Sequence, residues 1–327
     1  MFPAITIEFS KAWWWARYGD TAGKDRRRLL FERFGDVGLG EENPRPLTPV
    51  VGNEYGHRFM SAFWGCEIVY QNNHAPAALP LPDPRRRMER LEVPDADSSP
   101  VIQKALQTAR ELKALHGECR ADVNVGGPLN NAVSVFGDEI LLVCAEEPEL
   151  ARRVLRKMSE AIMAVYERFI WPVNGVDPAK ARAGDWGLGN CPVGLISPRT
   201  YAEVVLPEDL WLKDHFKGNC YLHHCGVFDA YIEAYRPLNP AGLDLGPGSD
   251  LRLARRGYPK AQISTYIEVG ALSRMSRSQI DDFVKQAIEA AAPAELFTRI
   301  SAADAGPELS DETVRNFLTV QSRVGSR

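Results

Sequence analysis

The chain has 327 residues, of which 45% are hydrophobic and 25% are charged, and its formal net charge at pH 7 is -4. This composition is typical of a globular protein with a large core and excludes a mostly disordered chain. The mildly acidic balance argues against a nucleic-acid-binding protein, which would normally present a basic face. We therefore expect the partner to be a small molecule or another protein.

The cysteines and the N-terminus indicate the cellular compartment. The six cysteines are scattered and do not form the dense pattern of a secreted disulfide protein. The N-terminus lacks a basic region leading into a long apolar core, and no stretch reaches the roughly 18 apolar residues of a membrane-spanning helix. The sequence therefore predicts a cytoplasmic protein without membrane contact. The sequence is also compatible with a homo-oligomer.

Two features of the first 60 residues are candidates for ligand contact. Three tryptophans at positions 13–15 are followed by Arg17, whose guanidinium could bind a carboxylate, although such residues more commonly serve in packing. A buried strand at 49–51 then opens into a loop that carries Asn53 and Glu54. We predict that Arg17, Asn53 and Glu54 contact the substrate.

The segment from 71 to 100 is rich in proline and contains three consecutive arginines, Arg85 to Arg87. Charge runs beside prolines usually lie in exposed loops, and the run is predicted to be a solvated face. The alternative is a site for an anion.

Strands and helices alternate along the rest of the chain. The predicted elements after residue 100 are, in chain order, a helix at 101–116, a strand ending near Asp122, an amphipathic helix from 147 to 170, a loop or strand end with Asp185 and Cys191, a helix capped by Ser197, a strand at 219–225, a strand with Asp244, a strand at 261–268, a helix that begins at Ser276 with a capping box, a strand at 297–301 and a terminal helix from about Ser310.

This alternation predicts the fold. Repeated strand, glycine turn and capped helix indicate βα units around a parallel sheet. With about eight strands, a TIM (β/α)8 barrel spanning residues 1–327 as one domain fits best. Such barrels carry their chemistry at the C-terminal ends of the strands, where we place the following polar residues: Asn53, Asp122, Asp185, His223, Cys225, Asp244 and Glu268.

One predicted strand ends in a pair of metal-binding residue types. If residues 219–225 are extended, His223 and Cys225 point to the same face while His224 points to the other. An imidazole and a thiolate together suit zinc, which usually takes at least three protein ligands. The alternative is an ordinary buried thiol beside a hydrogen-bonded histidine.

Several motifs resemble the uroporphyrinogen decarboxylase superfamily. They are Gly127-Pro128-Leu129-Asn130-Asn131-Ala132, Pro148-Glu149-Leu150, Ile196-Ser197-Pro198 with Tyr201 and Pro207, His223-His224-Cys225-Gly226 and Asp244-Leu245-Gly246. The resemblance runs from about residue 49 to 289 and more weakly to the C-terminus. That superfamily contains porphyrinogen decarboxylases and corrinoid-dependent methyltransferases, and both branches use the barrel predicted above.

The motifs favour the methyltransferase branch. Decarboxylases carry an N-terminal signature with two arginines, whereas Trp14-Trp15-Ala16-Arg17-Tyr18-Gly19 keeps only one. The methyltransferases bind zinc through His-x-Cys-Gly and a later cysteine, so the resemblance implies that His223 and Cys225 are zinc ligands. No cysteine follows residue 225. The third ligand is therefore either Asp304, about where the late cysteine would stand, or Cys191 at the end of the preceding strand.

Three functions remain open. The first is zinc-dependent methyl transfer between a corrinoid carrier, supplied by a partner protein, and a small acceptor. In it Asp122, Asp185 and Glu268 would orient substrate or shuttle a proton, and Tyr266 would join the substrate contacts. The second is a decarboxylation without cofactor, in which Arg17 or Arg58 binds carboxylate. The third is a non-catalytic relative that binds a corrinoid or a tetrapyrrole.

Overall fold

The computed structural model describes residues 4–9, 16–17, 26–37, 49–70 and 76–324. The three tryptophans at 13–15 lie outside the described residues, as does Tyr18. Within the described ranges, no helix combines the length and apolarity needed to cross a bilayer.

Ten strands are described. They are β1 Ala4–Phe9, β2 Val50–Val51, β3 Glu67–Val69, β4 Ala77–Leu79, β5 Arg120–Ala121, β6 Trp186–Gly189, β7 Cys220–His224, β8 Gly242–Leu245, β9 Gln262–Tyr266 and β10 Phe297–Ala305.

Eight of these strands are parallel and build a barrel. Six form one sheet in the order β1-β10-β9-β8-β7-β6, in which the first strand of the chain pairs with the last. Two more, β2 and β5, pair in parallel with each other. The remaining two, β3 and β4, form an antiparallel hairpin outside the parallel set. The predicted TIM barrel is confirmed.

Helices separate the parallel strands. The α-helices are Arg26–Phe34, Phe59–Phe63, Pro84–Glu89, Pro100–His116, Pro128–Phe136, Glu139–Glu146, Pro148–Val165, Trp171–Val173, Pro178–Ala183, Pro198–Thr200, Leu206–His215, Leu251–Gly257, Val269–Leu272, Arg277–Ala290 and Asp311–Val324. Short 3-10 helices cover Gly35–Val37, Asn53–Arg58, Cys191–Leu195, Asp229–Tyr231, Arg236–Leu238 and Ala294–Leu296, and π-helical turns cover Tyr166–Ile170 and Tyr201–Val205.

Local sequence explains where two of the helices begin. Ser276 caps the helix Arg277–Ala290: its hydroxyl accepts from the N–H of Gln279, whose side chain accepts from the N–H of Ser276 at 2.8 Å. The helix Pro148–Val165 starts with a proline, which has no N–H to leave unpaired at that position. Its buried residues pack against the helices Pro128–Phe136, Glu139–Glu146 and Leu206–His215.

The core lies between the barrel and its helices. The side chains of Leu222, Leu243 and Ile263 on three adjacent strands are at most 1% exposed and face the helices. Burying one such side chain stabilises the fold by about 1.5–3 kcal/mol. The alternate residues on the same strands face the barrel interior, and there they are largely polar.

Candidate metal centre

Three potential metal ligands meet at the C-terminal ends of two neighbouring strands. Cys191 begins the 3-10 helix that follows β6, His223 lies in β7, and Cys225 directly follows β7. The Sγ atoms of Cys191 and Cys225 lie 2.7 Å apart, and Nε2 of His223 lies 2.9 Å from the Sγ of Cys225. All three donor atoms lie within 4.8 Å of one another.

The alternation of β7 produces this arrangement. Cys220, Leu222 and His224 are buried toward the helices, whereas Tyr221 and His223 are half-buried and face the barrel interior. The prediction that His223 and Cys225 share a face is therefore correct in the structure. Because β6 and β7 are parallel neighbours, their C-terminal ends meet at one rim, and this brings Cys191 beside Cys225.

A hydrogen-bond chain orients the imidazole of His223. Its Nδ1 lies 2.8 Å from Oδ2 of Asp244 on β8, and Asp244 accepts from the hydroxyl of Ser264 on β9 at 2.7 Å. With Nδ1 bonded to the carboxylate, Nε2 is left to face the two thiols. A carboxylate behind a histidine ligand is a common support of metal sites, since it fixes the tautomer and the ring orientation.

The three ligand side chains share their protons. The hydrogen bond between the thiols lowers the pKa of Cys191 and raises that of Cys225, so the pair releases its first proton easily and holds the second. Burial lowers the pKa of His223, but Asp244 and the Cys191 thiolate outweigh it, and the pKa rises to about 9. These directions favour a thiolate at Cys191 beside a protonated His223.

The donor set fits zinc. Two thiolates and one imidazole are the ligand types that zinc prefers, and three protein ligands leave one tetrahedral position for substrate. The three donors already converge on one another, and the side chains of Cys225 and His223 lower the pKa of the Cys191 thiol. The side chain of Asn130 also favours the Cys191 thiolate. Asn130 lies in the motif that first indicated the family resemblance.

A buried polar cluster behind the strands fixes the segment that carries Cys191. Asn190 donates from Nδ2 to Asp209 at 2.7 Å, and the hydroxyl of Tyr201 donates to the same carboxyl oxygen at 2.9 Å. The N–H of Asn190 donates to the carbonyl oxygen of His223 at 2.8 Å. These bonds tie the start of the Cys191 helix both to the helix Leu206–His215 and to β7.

The turn before the helix Pro128–Phe136 packs directly on the end of β6. A side chain at Gly127 would come within 2.5 Å of the carbonyl oxygen of Gly189, so only glycine fits there. This close approach brings Asn130 to the thiol of Cys191.

Several predicted site residues lie at the same end of the barrel. The hydroxyl of Tyr266, at the end of β9, donates to the carbonyl oxygen of Cys225 at 3.0 Å, and its ring centroid lies 6.3 Å from that of His223. Glu268 follows β9 and is exposed, and Asp122 directly follows β5 and is also exposed. Their proposed catalytic roles stay predictions.

The placement predicted for Asp185 is wrong. Asp185 directly precedes β6, so it lies at the N-terminal end of that strand, where it accepts a hydrogen bond from Asn219 at 2.9 Å. Glycine is depleted in strands, and the two glycines of β6 made this segment resemble a loop in the sequence. Cys191, and not Asp185, lies at the C-terminal end.

The guanidinium of Arg17 binds within the protein. Its Nε donates to Asp311 at 2.9 Å and its Nη2 to the carbonyl oxygen of Leu309 at 2.6 Å. Arg33 also pairs with Asp311. These contacts support a packing role for Arg17, the alternative left open by the sequence.

The side chains of Asn53, Glu54 and Asp304 lie outside the described part of the structure, so their predicted roles stay predictions. The backbone places Asn53 and Glu54 in the 3-10 helix after β2, and Asp304 near the end of β10. The arginine run is exposed in part: Arg85 pairs with Glu147, and Arg86 and Arg87 line a surface groove.

Sequence reasoning missed the supports of the centre. It noted Asp244 at a strand end but gave it no role, and it did not consider Ser264 or Arg299. All three occupy inward-facing positions of successive strands, in the same row as His223. The register between strands, which the sequence does not state, creates this row.

Comparison with known proteins identifies the family. The sequence matches the family described as Uroporphyrinogen decarboxylase (URO-D) over residues 59–320, most of the chain. The chain belongs to the uroporphyrinogen decarboxylase family. This URO-D family member carries the Cys191, His223 and Cys225 cluster inside the matched range. No curated protein matches its sequence.

Solved structures share the fold of this URO-D family member. One is a methyltransferase from Methanosarcina mazei, with a TM-score of 0.61 and 12% sequence identity. The alignment covers 99% of this chain and 94% of the methyltransferase. At this identity the likeness establishes the shared fold.

Proposed function

We propose that this protein is a zinc-dependent methyltransferase whose metal is held by Cys191, His223 and Cys225. The observation that carries the proposal is the convergence of two thiols and one imidazole at the C-terminal rim of the barrel. The family, and a barrel shared with a methyltransferase, support the reaction class.

When bound, zinc supplies a Lewis acid that lowers the pKa of an acceptor thiol or hydroxyl and so makes it a nucleophile at neutral pH. Asp244 keeps the proton of His223 on Nδ1 and thereby directs Nε2 toward the thiols. Tyr266 holds the carbonyl of Cys225 and fixes the turn that carries this thiol.

The transfer moves one methyl group. The bond from the methyl carbon to its carrier breaks and leaves its electron pair on the carrier, a bond from that carbon to the acceptor heteroatom forms, and the acceptor loses its proton. Asp122 and Glu268, exposed at the C-terminal ends of β5 and β9, are the candidates to take that proton. The carrier in this proposal is a corrinoid bound to a partner protein, in line with the branch that the sequence motifs favour.

Zinc stoichiometry tests the proposal. Elemental analysis of zinc-supplemented protein should give close to one zinc per chain for wild type and much less for His223→Ala, Cys191→Ala and Cys225→Ala. Cys220→Ala is the matched control, because Cys220 lies on the same strand as His223 but faces the helices. Wild type without zinc, or equal loading of all variants, would refute the site.

A decarboxylation without metal is the second candidate, and one observation favours it. The barrel interior carries a guanidinium, that of Arg299, which is the kind of group that binds a substrate carboxylate. Purified wild type that is empty of zinc but releases carbon dioxide from a carboxylated tetrapyrrole precursor would support this candidate over the first.

A further inference from the structure

A row of polar side chains crosses the inner face of the barrel. In the register of the parallel strands, His223 pairs with Asp244, Asp244 with Ser264, and Ser264 with Arg299. The row therefore joins a candidate metal ligand on β7 to a cation on β10. Three strand spacings of about 4.8 Å each separate the two ends along the sheet.

Below this row lies a cavity of about 460 Å³. Its lining includes Tyr221, His223, Asp244, Gln262, Ser264 and Arg299. Its volume falls within the range of small-molecule sites, roughly 300–1,000 Å³. The cavity thus begins at His223 and extends toward the N-terminal half of the strands, deeper in the barrel than the rim that carries Cys225.

The Tyr221 ring lies over the glycine of the next strand and forms part of the cavity wall. Inward-facing side chains normally fill the interior of a TIM barrel in layers. Here the positions on either side of Tyr221 are Gly187 on β6 and Gly242 on β8. A side chain at Gly242 would come within 2.3 Å of the Tyr221 ring, and one at Gly187 would meet nothing within 4 Å.

The guanidinium of Arg299 makes one long contact with an acid among the described residues. Its side chain is 40% exposed, and its Nη2 lies 3.5 Å from Oδ2 of Asp244. Asp244 already accepts shorter hydrogen bonds from His223 and Ser264. Among the described residues, Asp244 is the one acid within ion-pair distance of Arg299, and this 3.5 Å contact leaves most of the guanidinium N–H groups without an acid partner in that part of the chain.

We propose that this cavity binds a small organic carboxylate through Arg299. The proposal rests on the proposed function and adds the class of the acceptor: a molecule with one carboxylate at Arg299 and its reacting heteroatom directed past His223 toward the thiols. Carboxylate fits best because the planar guanidinium fork matches it with two parallel hydrogen bonds. A phosphate dianion fits less well because Asp244 would repel its second charge.

Ligand-observed NMR with a matched pair of probes tests the site. Butanoate and butanamide have the same shape and differ in charge. Metal-free wild type should bind butanoate about tenfold more tightly than butanamide. Arg299→Gln should abolish this difference, while Arg299→Lys should keep part of it, because lysine retains the charge but not the fork.

The matched control is Arg252→Gln, on the outer helix Leu251–Gly257. Circular dichroism and thermal melting confirm that each variant is folded.

The outcomes separate this proposal from the proposed function. If both probes bind alike, or if Arg299→Gln leaves the difference intact in folded protein, the carboxylate site is refuted. A second experiment compares butanoate with 3-mercaptopropanoate on zinc-loaded protein. Zinc should tighten only the thiol. If zinc has no effect while the dependence on Arg299 persists, the carboxylate site stands and the zinc function fails.

Discussion

The Sγ atoms of Cys191 and Cys225 lie 2.7 Å apart, although 34 positions separate the two residues in the chain. They meet because β6 and β7 are parallel neighbours whose C-terminal ends reach the same rim. With His223 beside them, they form a set of three donors at the C-terminal ends of β6 and β7. The family resemblance implies a late cysteine as the third ligand, and we propose that Cys191 takes its place.

Asp244→Asn tests whether the hydrogen bond to Nδ1 of His223 positions the metal ligand. Loss of such a supporting carboxylate weakens metal binding by about 10–100-fold. We expect this loss of zinc affinity, measured by competition with a chromophoric chelator, and a fall in the His223 pKa from about 9, measured by NMR titration of the metal-free protein. The pKa falls because the anion that favours imidazolium is removed. Asp185→Asn, at the opposite end of the barrel, should change neither quantity.

Asp304→Asn tests the alternative third ligand. Because Cys191 already lies beside the other two donors, zinc binding should not need Asp304. The variant should keep close to one zinc per chain by elemental analysis and should bind zinc as tightly as wild type. A loss of zinc equal to that of Cys191→Ala would show that the site has four protein ligands and no open position.

Asp209→Asn tests a pH dependence of stability. Burial raises the pKa of Asp209 to about 7, and the hydrogen bonds from Asn190 and Tyr201 offset it only in part. Between the ordinary carboxyl pKa of 3.8 and about 7, the folded protein therefore holds a proton that the unfolded chain releases. Within this window the contribution of Asp209 to stability falls as pH rises, by about 1.4 kcal/mol per pH unit at most.

The amide cannot ionise, so this dependence should disappear in Asp209→Asn. Urea denaturation from pH 4 to pH 8 should give similar free energies of unfolding for variant and wild type at the acidic end. At pH 8 the variant should be the more stable of the two. A constant difference between the two proteins across the whole range would contradict the pKa.

Arg17→Gln separates the packing role of Arg17 from a role in ligand binding. The variant loses the ion pair with Asp311 and the hydrogen bond to Leu309, and the Arg17 side chain is only 12% exposed. We expect the free energy of unfolding to fall by about 1–3 kcal/mol, with butanoate affinity unchanged. Arg236→Gln, which removes an exposed pair with Glu233, should leave stability unchanged. Lost ligand affinity without lost stability in Arg17→Gln would favour the substrate role.

The sequence by itself determined the barrel and the shared face of His223 and Cys225 at the end of β7. Hydrophobic periodicity, glycine turns and capping residues act within about ten positions of the chain, so they indicate the strands and helices directly. Side-chain alternation in an extended segment is equally local, and it placed His223 and Cys225 on one face before any fold was known. The same local rules failed at β6, where two glycines concealed a strand and shifted Asp185 to the wrong end.

Only the tertiary structure decided which residues surround His223 and Cys225. Cys191, Asp244, Ser264 and Arg299 reach the site through the register of five neighbouring strands, and register depends on contacts between segments that lie far apart in the chain. The cavity has the same origin, since its lining comes from four strands, β7 to β10, that lie side by side only in the folded sheet. The sequence states which chemical groups are present, whereas the folded barrel determines which of them are in contact.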